Sequence, residues 1–65
     1  MGTSANKAIQ KALNDNGADP ALIVDGVMGT ATMNALSAFQ SAHNLKVIGT
    51  ADHDTMDALG LSKKW

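Results

Sequence analysis

The sequence predicts an all-α fold, a three-helix bundle built from two pseudo-symmetric turn–helix repeats. The sequence has three helix-like stretches, and in the first two apolar residues recur at the three- and four-residue spacing of a helix face. Glycine follows the first and third stretches, where a left-handed residue commonly ends a helix. The stretch VDGVMGTATMNAL, which begins at Val24, recurs 23 residues later from Val47 as VIGTADHDTMDAL. We therefore expect three helices around one small core.

The first helix is expected over residues 5–16. Ser4 precedes it and can cap it, because a serine hydroxyl accepts a bond from a free N–H of the first turn. Gly17 is expected to end it. One apolar stripe along this helix is formed by Ala5, Ala8, Ile9, Ala12 and Leu13.

The second and third helices follow the two copies of the turn. Pro20 and the pair Asp25-Gly26 predict a tight loop, with a few residues of extended pairing. The second helix is expected from residues 29–30 to about residue 43, with Asn44 as its left-handed end. The third helix is expected between Asp52, a good N-cap, and Gly60.

The repeat extends upstream, because IQKALN (9–14) matches FQSAHN (39–44). Gln10 and Gln40 recur beside core positions, and each is either a buried amide that ties a loop to a helix or a hydrogen-bonding group that faces a groove. The expected core consists of Ile9, Ala12, Leu13, Val24, Val27, Leu36, Phe39, Leu45, Val47, Met56, Leu59 and Leu61.

Length and composition limit the classes of function. A chain of 65 residues fits one small domain, which we place at residues 5–61, with a disordered or expression-derived start at 1–4 and a tail at 62–65. There are five Lys, six Asp, no Arg and no Glu, so the chain lacks the basic face that nucleic-acid binding requires. The longest apolar run, residues 21–24, is too short for a membrane span or a signal peptide.

The motifs together resemble the peptidoglycan-binding domain 1 family, a small three-helix module attached to many bacterial and phage cell-wall hydrolases. The matching stretches are AIQKAL (8–13), VDGVMGTATMNALSAFQ (24–40), LKVIG (45–49) and TMDALGL (55–61). The family usually has an aromatic residue at the place of Met28 and Pro at the place of Thr30. The second turn departs further, since Ile48 replaces the usual Asp and Asp52 stands at the place that corresponds to Gly29.

The resemblance implies a non-catalytic module that binds peptidoglycan, either its glycan strand or its stem peptide, and holds an attached lytic hydrolase on the cell wall. We expect a monomer without cofactor or metal, located in the cell wall, in the periplasm or outside the cell. The alternative is a protein-interaction or regulatory module of the same fold, like the similar pro-segments of some metalloproteases. A third possibility, a helix-turn-helix DNA binder, is disfavoured by the balanced charge.

We expect the ligand at the first turn, where Asp25, Met28, Gly29, Thr30 and Thr32 form the candidate site. A helix N-terminus exposes N–H groups and partial positive charge, which suit the carboxylate of a stem peptide. Asp25 can accept N–H bonds inside the loop and still accept a sugar hydroxyl or a peptide amide. Thr32 either satisfies the first turn of its own helix or contacts the ligand. Met28 either fills a gap in the core or lines a groove.

The remaining candidates for chemistry are weaker. His43 and His53 lie on different elements, with no further His or Cys at ligand spacing, so we expect no metal site. Trp65, the only Trp, either stacks on a sugar or belongs to a linker. A glycosidase commonly needs two placed carboxylates and a hydrolytic triad needs a positioned base. The chain has no Glu and no evident pocket for two Asp, so no catalysis is expected.

Overall fold

The structure, a computed structural model, describes residues 4–61, which fold into three α-helices. These are α1 (Ser4–Asp15), α2 (Thr30–Ala42) and α3 (His53–Leu59). Each boundary lies within one residue of the expected one, and no strand occurs among these residues. The all-α prediction is therefore confirmed.

The two ends of the chain limit what can be compared with the sequence. Residues 1–3 of the expected start segment 1–4, and the expected tail at 62–65 with Trp65, lie outside the described residues. Ser4, expected to precede the first helix as its cap, already belongs to α1. Within residues 4–61, none of the helices has the length and hydropathy that crossing a bilayer requires.

A left-handed residue ends each helix, as the sequence predicts. The φ angles are +90° at Gly17, +58° at Asn44 and +81° at Gly60. The following N–H then reaches back to a carbonyl in the last turn, which satisfies part of the helix end. These bonds are Ala18 to Leu13 at 3.0 Å, Leu45 to Gln40 at 2.7 Å and Leu61 to Met56 at 2.9 Å.

The apolar core lies where α1 packs against both α2 and α3. Its buried members were all expected from the sequence: Ile9, Leu13, Leu36, Phe39, Met56 and Leu59. Ala12, Leu45 and Leu61, also expected, are half-buried and pack against this cluster.

Three valines expected in the core lie on the surface instead. Val24, Val27 and Val47 are 43%, 50% and 54% exposed. The reason is seen directly at Val27, where the turn directs its backbone inward. At the first turn the carbonyl of Val27 accepts a bond at 2.9 Å from the buried side chain of Gln10, while the valine side chain faces out.

A side chain holds the loop between α1 and α2 where extended pairing was expected. Asn14 Oδ1 accepts the N–H of Leu22 at 2.7 Å, and Asn14 Nδ2 donates to the carbonyl of Leu22 at 2.9 Å. One amide thus supplies both bonds that a neighbouring strand would supply. The loop is fixed against α1, and the expected extended pairing does not form within residues 16–29.

Truncation of the buried Leu36 should destabilise the domain far more than truncation of the exposed Val47. Leu36 is completely buried, so Leu36→Ala should lower the free energy of unfolding by about 2–5 kcal/mol through lost burial and a residual cavity. A domain of this size has roughly 3–5 kcal/mol in total, and the variant should be largely unfolded by circular dichroism. Val47→Ala should change the free energy of unfolding by less than about 0.5 kcal/mol. A large loss at Val47 would contradict its exposed position.

Candidate functional site

Each repeat forms a tight corner whose backbone is bound by a buried glutamine. We call residues 24–30 the first corner and residues 47–53 the second corner. Gln10 of α1 serves the first and Gln40 of α2 serves the second, and their side chains are 1% and 0% exposed. The interpretation of the paired glutamines as buried amides that tie loops to helices is confirmed.

At the first corner, the amide of Gln10 joins the turn to the start of α2. Its Oε1 accepts the N–H of Gly26 at 2.8 Å. Its Nε2 donates to the carbonyl of Val27 at 2.9 Å, to Asp25 Oδ1 at 3.1 Å and to Thr32 Oγ1 at 3.1 Å. Two candidate site residues, Asp25 and Thr32, are therefore held by one side chain.

The second corner repeats this network around Gln40. Its Oε1 accepts the N–H groups of Ile48 and Gly49 at 3.0 and 3.1 Å. Its Nε2 donates to the carbonyl of Thr50 at 2.8 Å and to Thr55 Oγ1 at 2.9 Å. The two corners thus share one hydrogen-bonding plan, although Ile48 cannot offer the carboxylate that Asp25 offers.

The corners differ at the residue that precedes each helix. Gly29 before α2 has φ −89° and ψ −173°, and Asp52 before α3 has nearly the same angles, −91° and −178°. Asp52 Oδ1 accepts the N–H of Thr55 at 3.0 Å and its hydroxyl at 2.5 Å. The carboxylate of Asp52 therefore closes the N-terminus of α3.

The N-terminus of α2 has no such cap. Gly29 carries no side chain, and the first helical bond runs from the N–H of Met33 to the carbonyl of Gly29. The N–H groups of Thr30, Ala31 and Thr32 find no acceptor within residues 4–61. A Cβ placed at Gly29 would meet no atom within 4 Å, so the space in front of these groups is open.

A groove of about 780 Å³ lies between the loop 16–23 and α2. Four of the five candidate site residues line it: Asp25, Gly29, Thr30 and Thr32. Thr30 is exposed, whereas Thr32 is buried with its hydroxyl on Gln10. The sequence analysis did not predict that the loop 16–23 forms a wall of the groove. Its position depends on the pairing of Asn14 with Leu22, for which the sequence has no recognisable pattern.

Met28, the fifth candidate, lies apart from the other four. It is half-buried, packs against the core and lines a smaller groove of about 320 Å³ together with Met33 and Met56. Its position agrees with the interpretation of Met28 as a residue that fills a gap beside the core, and it also places the side chain at a groove.

Hydrogen bonds hold the pKa of both corner aspartates below the ordinary value of 3.8. The pKa of Asp25 is lowered by the N–H of Val27, at 2.9 Å from Oδ1, and then by the amide of Gln10. The pKa of Asp52 is lowered first by the hydroxyl of Thr55 and then by the N–H of the same residue. Both carboxylates are therefore ionised at neutral pH.

His43 also lines the larger groove, and its ring is hydrogen-bonded to its own helix. Its Nδ1 is 3.0 Å from the carbonyl of Phe39, so Nδ1 donates the bond, and the two rings are 4.0 Å apart between centroids. Among residues 4–61, no three side chains of His, Cys, Asp or Glu are grouped so that they could hold a metal ion.

Comparison with families of known proteins matches residues 3–59 to the family described as "Putative peptidoglycan binding domain". The match spans both corners and all three helices. Comparisons with curated proteins and with solved structures gave no match.

A cap introduced at α2 should stabilise the domain. Gly29→Asp places a carboxylate where Asp52 stands in the second corner, and its Cβ meets no atom within 4 Å outside the adjoining residues. We expect the free energy of unfolding to rise by about 0.3–1 kcal/mol relative to wild type, and by about 1 kcal/mol relative to Gly29→Ala, which cannot cap. Urea unfolding of the three proteins measures this. A Gly29→Asp protein no more stable than Gly29→Ala would mean that the N–H groups of α2 are already satisfied.

The corner aspartates should make stability fall in acid. Because the folded pKa values of Asp25 and Asp52 are lowered, their contribution is present above 3.8 and is lost as the pH falls below it. Urea midpoints measured between roughly pH 2 and 6 should show this loss. Asp52→Asn keeps a capping side chain but cannot titrate, so its urea midpoint should depend less on pH than that of wild type.

Proposed function

Because this chain belongs to the peptidoglycan-binding domain family, we propose that it is a non-catalytic module that holds an attached lytic hydrolase of bacterial or phage origin on the cell wall. The family supports peptidoglycan as the partner and the cell wall as the location. Tethering raises the local concentration of an enzyme at its substrate, so even a weak anchor is effective. Such a module acts in the periplasm or outside the cell.

The first corner is the proposed binding site, with Asp25, Gly29, Thr30 and Thr32 along the larger groove and Met28 at the smaller one. The observation that carries this proposal is the contrast between Gly29 and Asp52. The second corner fills its helix N-terminus with its own carboxylate, whereas the first has the same backbone geometry and open space there. A carboxylate of the ligand fits the open place.

A stem peptide matches the first corner better than a glycan strand does. Sugars stack on exposed aromatic rings, but within residues 4–61 there is no Trp or Tyr and the one Phe is buried. A stem peptide carries a carboxylate for the start of α2 and N–H donors for Asp25, which lines the same groove. The small number of charged and aromatic contacts predicts a dissociation constant in the micromolar-to-millimolar range, about −4 to −8 kcal/mol.

Sedimentation with purified insoluble peptidoglycan tests the proposed function and site. Wild type should sediment with the polymer. Gly29→Asp should be retained several-fold less, because its new carboxylate occupies the start of α2 and repels the carboxylate of the ligand. This substitution is cleaner than Asp25→Ala, which also removes the bonds that the Asp25 carboxylate accepts from Gln10 and from the N–H of Val27. Ala8→Asp is the control: it adds the same charge at an exposed position of α1 and should be retained like wild type.

The outcomes separate the alternatives. Equal retention of Gly29→Asp and wild type would place the site elsewhere on the domain. Failure of wild type to sediment would favour the protein-interaction or regulatory module. Soluble stem peptide added to labelled wild type should shift the amide resonances of residues 30–32, and glycan strands stripped of peptides should not. The reverse result would replace the stem peptide by the glycan strand as ligand.

A further inference from the structure

Gln10 connects the two ligand-facing parts of the first corner from inside the protein. Its amide nitrogen reaches a carboxylate oxygen of Asp25 and the hydroxyl of Thr32, each at 3.1 Å. With 1% of its surface exposed, Gln10 itself offers a ligand almost nothing to touch. We propose that Gln10 is a positioning residue of the peptidoglycan site, which sets the place of the Asp25 carboxylate relative to the start of α2. This inference rests on the proposed function of the first corner.

The bonds of Gln10 leave the turn little freedom. Its two N–H hydrogens are shared among three acceptors, one of them the carbonyl of Val27 at 2.9 Å, while its oxygen holds the N–H of Gly26 at 2.8 Å. The turn and the first turn of α2 are therefore bound to one planar group. The distance between Asp25 and the open N–H groups of α2 is therefore fixed before a ligand binds to both. Less conformational entropy is then lost on binding.

The same bonds determine which chemistry Asp25 presents. Oδ1 already accepts from the N–H of Val27 at 2.9 Å and from Gln10. The carboxylate has lone pairs beyond these two bonds, which are available to a hydrogen-bond donor of the ligand. Asp25 therefore binds a hydrogen-bond donor of the ligand, such as an ammonium, an amide N–H or a hydroxyl. This donor lies at a fixed distance from the ligand carboxylate that binds at the start of α2.

Gln40 provides a matched control within the same chain. It is equally buried and makes the same kind of bonds to the second corner. Among the described residues its amide forms no hydrogen bond with a carboxylate, because Ile48 stands where the first corner has Asp25, and Asp52 closes the helix beside it. A purely structural role would make the two glutamines equivalent, whereas a positioning role makes only Gln10 matter for binding.

The experiment compares Gln10→Met with Gln40→Met, both close to glutamine in volume. Urea unfolding should show similar losses of stability, because each variant leaves a buried N–H of a corner, that of Gly26 or that of Gly49, without its acceptor. Retention on insoluble peptidoglycan, expressed per folded molecule, should fall about three- to tenfold for Gln10→Met, the effect of about one hydrogen bond, and stay unchanged for Gln40→Met. The carboxyl pKa of Asp25, followed by NMR, should rise only in Gln10→Met.

Equal retention of the two variants per folded molecule would overturn the positioning role while leaving the proposed function intact. Failure of wild type to sediment would instead overturn the proposed function itself. If Gln10→Met is unfolded in plain buffer, both variants are compared in trimethylamine N-oxide, which favours compact states. An unchanged pKa of Asp25 in the refolded Gln10→Met protein would also contradict the inference.

Discussion

Two buried amides, those of Gln10 and Gln40, are the constraint on which this fold depends. In the described part of the chain the apolar core has six buried side chains, and the largest side chains that are fully buried include both glutamines beside Leu13 and Leu36. Each amide uses its oxygen and its nitrogen on the backbone of a corner. Within residues 4–61 no buried side-chain nitrogen or oxygen lacks a partner. A domain this small is thus held by fully satisfied polar networks as well as by burial of apolar surface.

Local signals in the sequence were sufficient to predict the three helices, and the internal repeat was sufficient to predict that the paired glutamines tie loops to helices. Apolar spacing and left-handed stop residues act over one turn, so α1, α2 and α3 were predictable. The exposure of Val24 and Val47 was not, because apolarity alone does not reveal whether a turn directs its backbone or its side chains inward. The role of Asn14 depends on a partner eight residues away with no recognisable pattern.

The candidate site was partly predictable for the same reasons. That free N–H groups lie at the start of α2 was expected from the physics of helix ends. The groove wall at 16–23 depends on a tertiary contact that a single sequence does not display. Met28 lies apart from the other candidates because it packs toward the core and the smaller groove, whereas Gly29 and Thr30 line the larger one.

The second helix belongs to both repeats at once. Thr32 near its start completes the first corner, and Gln40 near its end organises the second. Neither half of the chain can therefore fold by itself if the chain is divided within α2, since each corner needs side chains from this helix. The exposed side chains of one corner can change independently of the other, but α2 has to complete both corners with a single set of side chains.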